Sequence, residues 1–229
     1  MTNITNNLLS VQKRIAQAAQ SCDRNPGEIR LVAVSKKHPA TDVIEAWDAG
    51  QKDFGENFLQ EALPKQAELA HLPLTWHFIG RIQSNKTRPI AEQFQWVHTV
   101  DRFKIAQRLN EQRPDSLPPL NVCIQVNVGD PGNKAGAPCD QVAELARQIS
   151  SLPRLRLRGL MCLPPESEDM AVQRGYFHIL SDLSREIGRL GINMDTLSMG
   201  MSGDLEAAVA EGATMVRIGT AVFGQRIAT

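Results

Sequence analysis

The sequence has no surplus charge of either sign: its 229 residues hold 25 Lys plus Arg against 25 Asp plus Glu. A nucleic-acid or membrane-surface binder normally shows a basic excess or cluster. The nearest approach, RLRLR from Arg154 to Arg158, alternates as a strand with one polar face would. Neither partner is expected. No apolar run approaches the roughly 20 residues of a membrane span, and the opening MTNITNNLLSVQKRIAQAAQ lacks the layout of a secretory leader. Cysteine is sparse: Cys22, Cys123, Cys139 and Cys162 are scattered without CxxC spacing. A chain of this size needs no disulfide staples, so reduced thiols in the cytoplasm are expected. The five histidines, His38, His71, His77, His98 and His178, form no HExxH motif and no paired spacing with cysteine, so no metal is expected. P-loop, internal repeat and linker are all missing, which leaves residues 1–229 as one expected domain.

What is present is a regular alternation of short apolar strands with helical stretches. Eight strands are predicted: Ile29–Ser35, Lys52–Gly55, Thr75–Gly80, Trp96–Val100, Leu120–Gly129, Leu155–Leu163, Met194–Gly200 and Met215–Gly224. Runs such as LNVCIQVNV are apolar on both faces, as strands of a covered parallel sheet are. Between them, one helix is predicted to open at Thr41 or Asp42 and close on Gly50. A second runs from Asp101 to Pro114, and a third ends at Gly212 with acids in its first turn. An extra amphipathic helix, Asn3 to Ser21, precedes the first strand. Eight alternating units predict a single α/β domain closed into a (β/α)₈ barrel of the TIM type. An open doubly wound sheet is the alternative.

The first strand runs into two lysines, IRLVAVSKKHP. In a barrel the strands' C-terminal ends carry the active site. Alternation puts Lys36 on the face of Val32 and Val34 and Lys37 on the other, so Lys36 is the inward candidate. A desolvated lysine becomes a nucleophile able to form a Schiff base with a carbonyl. On this stretch alone, two lysines meeting solvent as the strand ends is the default.

The other end of the chain shifts that balance. Barrels often bind phosphate with the loops after strands seven and eight. Strand seven is followed by SMGMSGDLEAA, where Ser198, Gly200, Ser202 and Gly203 offer hydroxyls and backbone N–H groups. In RIGTAVFG, where no helix is predicted to open, Gly219 and Thr220 do the same; plain readings are Ser202 as a helix cap and Gly219 as tight packing. A carbonyl-reactive lysine with a phosphate cradle suggests a phosphorylated aldehyde. Arg217, inside an otherwise apolar strand, needs either a ligand or an acidic neighbour, since an unpaired buried charge is expensive. Asn57 in FGENF reads as a helix cap with Gln60 three residues on. His77 and His98 fall in neighbouring strands and are read as packed, hydrogen-bonded histidines.

LVAVSK, FGEN, WHFIGRIQSNK, RLRGLMCLP, LSMGMSGDLEAA and MVRIGTAVFG together resemble the pyridoxal 5'-phosphate homeostasis protein family. The resemblance spans essentially the whole chain, and that family is related to the N-terminal barrel of alanine racemase, the fold-type III pyridoxal phosphate (PLP) proteins. It implies PLP as cofactor, held on Lys36 by a Schiff base. Ser202, Gly219 and Thr220 would hold the phosphate, Arg217 would face the pyridine nitrogen, and Asn57 and His77 would lie in the same cavity. The implied role is to bind, buffer or deliver PLP, with PLP-dependent apoenzymes as recipients and without robust catalysis. A monomer is expected. A weak amino-acid racemase is the alternative, and a cofactor-free Schiff-base aldolase a third reading. A two-base racemase needs a tyrosine opposite the lysine, whereas the single tyrosine, Tyr176, falls in a helical stretch. Two departures are local. Phe58 follows GEN where relatives often carry tyrosine, and KKHP sets Lys37 beside Lys36 and His38 where a second lysine is usual. Lys37 and Lys134 are candidate secondary PLP sites.

Overall fold

The computed structural model describes residues 3–129 and 135–225; Lys134 lies outside them. Eight parallel strands, β1 (Arg30–Val34), β2 (Asp53–Glu56), β3 (Thr75–Phe78), β4 (Trp96–Val100), β5 (Leu120–Val126), β6 (Leu155–Cys162), β7 (Thr196–Ser198) and β8 (Met215–Ile218), close in sequence order. The closing pair sets Val32 against Arg217. Around them run α1 (Ile4–Gln20), α2 (Ala40–Asp48), α3 (Leu59–Glu68), α4 (Thr87–Gln93), α5 (Phe103–Gln112), α6 (Cys139–Ser150), α7 (Met170–Arg189), α8 (Leu205–Ala210) and α9 (Thr220–Phe223). The barrel and its extra N-terminal helix are as the sequence pattern predicts. No helix among the described residues is long and apolar enough to cross a membrane.

Most strand ends differ from expectation. The run predicted as a strand to Gly224 stops at Ile218, and a helical turn, α9, opens within RIGTAVFG against the sequence reading. Gly219 precedes it, and its carbonyl accepts from the N–H groups of Val222 and Phe223. The seventh strand contracts to three residues because Gly200, at φ +97°, turns the chain, and a Cβ there would meet that of Ala208 at 2.7 Å. Helix α5 starts at Phe103 with neither Asp101 nor Arg102 capping it through a side chain. At α1 the expected start holds: Asn3 accepts from the Asn6 N–H at 2.9 Å.

The large apolar core lies between strands and helices and includes Phe54, Phe94, Phe177, Ile105 and Leu180. The barrel axis is different. Its apolar residues are few, with Val32, Trp96, Cys123, Met161 and Met215 in one small cluster. Buried polar side chains share the interior, among them His77, His98, Ser198 and Arg217. Burial pushes the Cys123 and Cys162 thiols up to about 12, so both are inert core groups.

Helix α1 does more than cover the barrel. It buries Leu8, Val11 and Ile15, and its polar side reaches the loops after β7 and β8. Arg14 grips Glu206 of α8 through two hydrogen bonds and donates to the Ser202 carbonyl at 2.7 Å. That guanidinium holds the Glu206 carboxyl below its ordinary range. Asn7 donates to the Val222 carbonyl of α9 at 2.9 Å. One helix therefore ties down both segments that the sequence marked as the phosphate cradle.

Candidate functional site

At the C-terminal mouth of the barrel lies a cavity of about 450 Å³ lined by Lys36, Asn57, Ser202, Arg217, Gly219 and Thr220, among others. Six of the seven residues singled out from sequence are thus brought together. The mouth of a barrel is where strand ends and βα loops converge, which is why residues so far apart in the chain meet there.

Lys36 reaches this cavity from a turn, not from a strand. β1 ends at Val34, and the His38 N–H closes back on the Ser35 carbonyl at 3.1 Å. Lys37 takes the left-handed conformation at φ +62°, is exposed, and donates its backbone N–H to Glu61 at 2.9 Å. The turn sends the two lysines apart: Lys36 lines the cavity and Lys37 does not, and the geometry that separates them is a reversal, where the sequence reading had strand alternation.

The turn stands on a buried ion pair that the sequence reading missed. Lys65 of α3 donates to Glu56 at 2.6 Å and to the Ser35 carbonyl at 2.8 Å, and the Ser35 hydroxyl donates to Glu56 at 2.6 Å. Both charged side chains are almost fully enclosed. Burial raises the Glu56 carboxyl above its ordinary range, with Lys65 opposing that shift. An acid ending an apolar strand was the available signal, since a buried carboxylate demands a cation.

Asn57 does not cap α3. The helix starts at Leu59 after Phe58, whose side chain makes no cap, and the Asn57 Oδ1 is buried without a hydrogen-bond partner. The backbone of Asn57 is fixed by crowding: a Cβ on Gly80 would stand 2.0 Å from the Asn57 carbonyl oxygen. Only glycine lets the loop after β3 pass so close. Phe58 lines a neighbouring cleft with Arg81 and Lys86, away from Lys36. Ser202 likewise is no helix cap, because α8 begins at Leu205.

Arg217 is the only fully enclosed cation lining this cavity among the described residues. Of the acidic neighbour entertained from sequence, only Asp204 acts on it, at a distance and without an ion pair among the described residues. Its NH1 donates to Ser198 Oγ at 2.7 Å and its NH2 to the Cys162 carbonyl at 2.9 Å. Burial lowers its pKa from the ordinary arginine value, and the guanidinium stays charged in any case. With five N–H donors on the group, capacity is left for an acceptor in the cavity.

His77 is placed otherwise than expected. It does not line the cavity but sits on the barrel axis, with Nδ1 2.9 Å from His98 Nε2 and Nε2 2.9 Å from Asp53 Oδ1. The register explains this: His77 pairs with Gly55 and Trp96, below the rim. The expected approach of the two histidines is found. Burial lowers the pKa of His77, and lowers that of His98 well below the ordinary value with help from His77 and Arg217. Tyr176 also stays outside the cavity, packed where a Cβ on Gly129 would touch its ring at 2.3 Å.

A pH dependence follows. Each buried imidazole stays neutral while its unfolded counterpart gains a proton near pH 6.5, so stability is fully present above that value and falls as pH is lowered toward the folded pKa. The slope per group is about 1.4 kcal/mol per pH unit. Urea unfolding between pH 7 and 5 should show this loss, and His98→Gln should show a shallower one; an equal slope in both proteins would count against a neutral His98.

A closed parallel barrel with a lysine, a ring of hydroxyls and N–H groups and a buried arginine at its C-terminal mouth defines the barrel class of alanine racemase. The family model for the alanine racemase N-terminal domain matches residues 6–227. Within that class, the chain belongs to the pyridoxal phosphate homeostasis protein family. It is 59% identical to the Pseudomonas aeruginosa pyridoxal phosphate homeostasis protein, covering 99% of this chain and 97% of that one. Identity to the Escherichia coli protein of the same name is 50%, over 99% and 98% of the two chains. PipY of Synechococcus elongatus, solved with PLP bound, superposes with a TM-score of 0.86 at 38% identity, covering 96% of this chain and 100% of that one. Alanine racemase of Clostridium difficile shares the fold, with a TM-score of 0.72 at 14% identity.

Proposed function

We propose that this protein binds pyridoxal 5'-phosphate in the Lys36 cavity and serves intracellular PLP homeostasis by binding, buffering or delivering the cofactor. The carrying observation is that Lys36, Arg217 and the Ser202–Gly219–Thr220 group line one cavity. The residues fit the group. Lys36 would hold the aldehyde carbon through its amine. The Ser202 and Thr220 hydroxyls, with backbone N–H groups at Gly219 and Thr220, receive the phosphate, because the first N–H groups of a helical turn have no intrahelical partner. Arg217 would donate to the ring nitrogen, and the Asn57 amide oxygen, buried without a partner, would be free to accept a hydrogen from the bound group.

When bound, PLP supplies an electrophilic carbon and an electron-withdrawing ring. The rest falls to the protein. A guanidinium can only donate, so it leaves the ring nitrogen unprotonated and the ring a weaker electron sink than a carboxylate partner would make it. No tyrosine lines the cavity to act as a second base opposite Lys36. Both features favour holding the cofactor over turning over amino acids. PipY, solved with PLP bound, and the relatives named for PLP homeostasis support this reading. PLP-dependent apoenzymes in the cytoplasm are the recipients we assign, and the protein acts as a monomer.

The test is the absorbance spectrum of the purified protein with PLP, then borohydride reduction and peptide mapping. A visible band and the reduced adduct on Lys36 are expected. A colourless protein, or an adduct elsewhere, would overturn the assignment. Turnover of alanine or serine enantiomers that is lost on Lys36→Ala would favour the racemase instead.

A further inference from the structure

With both imidazoles neutral, the polar chain on the barrel axis has one arrangement of hydrogens. Arg217 cannot accept, so Ser198 Oγ accepts from it at 2.7 Å. The Asp53 carboxylate cannot donate, so His77 Nε2 carries the hydrogen across 2.9 Å. A neutral His77 then has a bare Nδ1, which accepts from His98 Nε2 at 2.9 Å. The remaining nitrogen, His98 Nδ1, accepts the Ser198 hydroxyl hydrogen at 2.8 Å. Every donor points the same way, from Arg217 through Ser198, His98 and His77 to Asp53. Such chains polarise one another and strengthen each bond by roughly 10–30%.

Period-two alternation is what brings these residues together. Asp53 is the first residue of β2, His77 the third of β3, His98 the third of β4, Ser198 the last of β7 and Arg217 the third of β8. Asp53 sits at the N-terminal mouth and keeps 18% of its side chain exposed, while the two imidazoles are fully enclosed. Around His77 stand Arg30 of β1, 3.5 Å from Asp53, and Trp96, stacked on the ring at 5.5 Å. Arg158 of β6 covers the other side of Trp96 at 4.7 Å and is neutralised by Asp195. Around His98 stand His77, Trp96, Ser198 and the Arg217 charge, and no carboxylate acts on it among the described residues. Among the described residues Arg217 makes no hydrogen bond to a carboxylate; Asp204 acts on it at a distance, and the Ser198 end of the chain is one of its two hydrogen-bond acceptors.

We propose that His77 and His98 are positioning residues: with Asp53 and Ser198 they form a one-way donor relay that orients the Arg217 guanidinium toward the Lys36 cavity and links it to the opposite mouth of the barrel. The inference rests on PLP binding at Lys36. It assigns the interior histidines a task in cofactor retention that ordinary core packing does not supply. A severed relay removes the polarisation that the Asp53 charge passes to Ser198, which weakens the bond between Ser198 and Arg217 and loosens the guanidinium.

Two measurements test this. In apoprotein carrying ¹⁵N-histidine, long-range ¹H–¹⁵N spectra at neutral pH should show both imidazoles neutral with hydrogen on Nε2. Hydrogen on His98 Nδ1, or an imidazolium at either site, overturns the relay with no reference to PLP. In the second, His98→Asn keeps an acceptor for Ser198 but cuts the link to His77, and Asp53→Asn removes the terminal charge at the rim. PLP release should quicken about tenfold in His98→Asn, a loss of about 1.4 kcal/mol in retention, and the visible band should move, both beyond what the accompanying fall in the apoprotein's melting temperature accounts for. Asp53→Asn should show a smaller change in the same direction. Release and spectrum equal to wild type in both variants would refute the proposal, as would changes that only track lost thermal stability. A wild-type protein without a visible band would fail the Lys36 assignment itself, whatever the tautomers.

Discussion

Lys36→Ala is expected to abolish the borohydride-reducible adduct and the visible band while leaving the barrel folded. Lys36 stands on a turn at the mouth and is half-buried, so truncating it opens no cavity in the core. Surface and rim substitutions of this kind usually change stability by about 0.5 kcal/mol or less. The functional loss is categorical because no other lysine lines the cavity among the described residues. Lys37 points away and is held through its backbone by Glu61. Lys36→Arg provides the control: it keeps the charge but cannot form the covalent bond. Mass spectrometry after reduction reads the result, and a full-stoichiometry adduct persisting in Lys36→Ala would place the cofactor elsewhere.

The largest stability effect is expected from Lys65→Met. Lys65 and Glu56 form the buried ion pair under the Lys36 turn. Removing one partner leaves a charge uncompensated, which costs about 3–5 kcal/mol. The sign of the pH response checks the cause. Burial already raises the Glu56 carboxyl, and without Lys65 it rises further. A carboxyl whose folded pKa exceeds its unfolded value gains stability as pH falls through the folded value. Both proteins carry the same two buried histidines and share their loss below pH 6.5, so the stability gap between variant and wild type should narrow on mild acidification. Glu56→Gln combined with Lys65→Met should restore most of the loss, because a neutral amide carries no charge to strand. Denaturant midpoints at two pH values suffice, and a single variant as stable as wild type would remove the pair from the account. PLP retention should weaken alongside, since the Ser35 carbonyl and hydroxyl that frame the turn lose their anchor.

These two lysines show how unevenly the site was legible. Lys36 was found because it ends a buried strand, a local pattern. Lys65 lies in helix α3 among polar neighbours and gives no sign that it is buried; its role exists only because β2 ends at Glu56 beside the Ser35 turn. Asn57 was chosen correctly as a cavity residue and wrongly as a cap. The motif S/T/N-x-x-E/Q is local, while the crowding at Gly80 that fixes its backbone comes from the next strand. His77 was placed one layer too high, since strand periodicity assigns a face but not a depth.

By itself the sequence determined the class of this protein. Eight apolar runs alternating with helices, buried on both faces, can only close or stack, and their number favours closure. It also determined which residues meet at the mouth, because a lysine after strand one and hydroxyl–glycine segments after strands seven and eight are set by position along the chain. Tertiary structure decided the rest. It ended the eighth strand at Ile218 and wound the next residues into α9, since the mouth needs a helical turn to close over the cavity. It clamped both cradle segments with Arg14 and Asn7 of α1, more than 180 residues away in sequence. And it threaded Asp53, His77, His98 and Ser198 down the axis to Arg217. Each of those side chains is ordinary in its own strand. Only closure of the sheet puts them within hydrogen-bonding distance, because shear and register between strands are properties of the whole barrel.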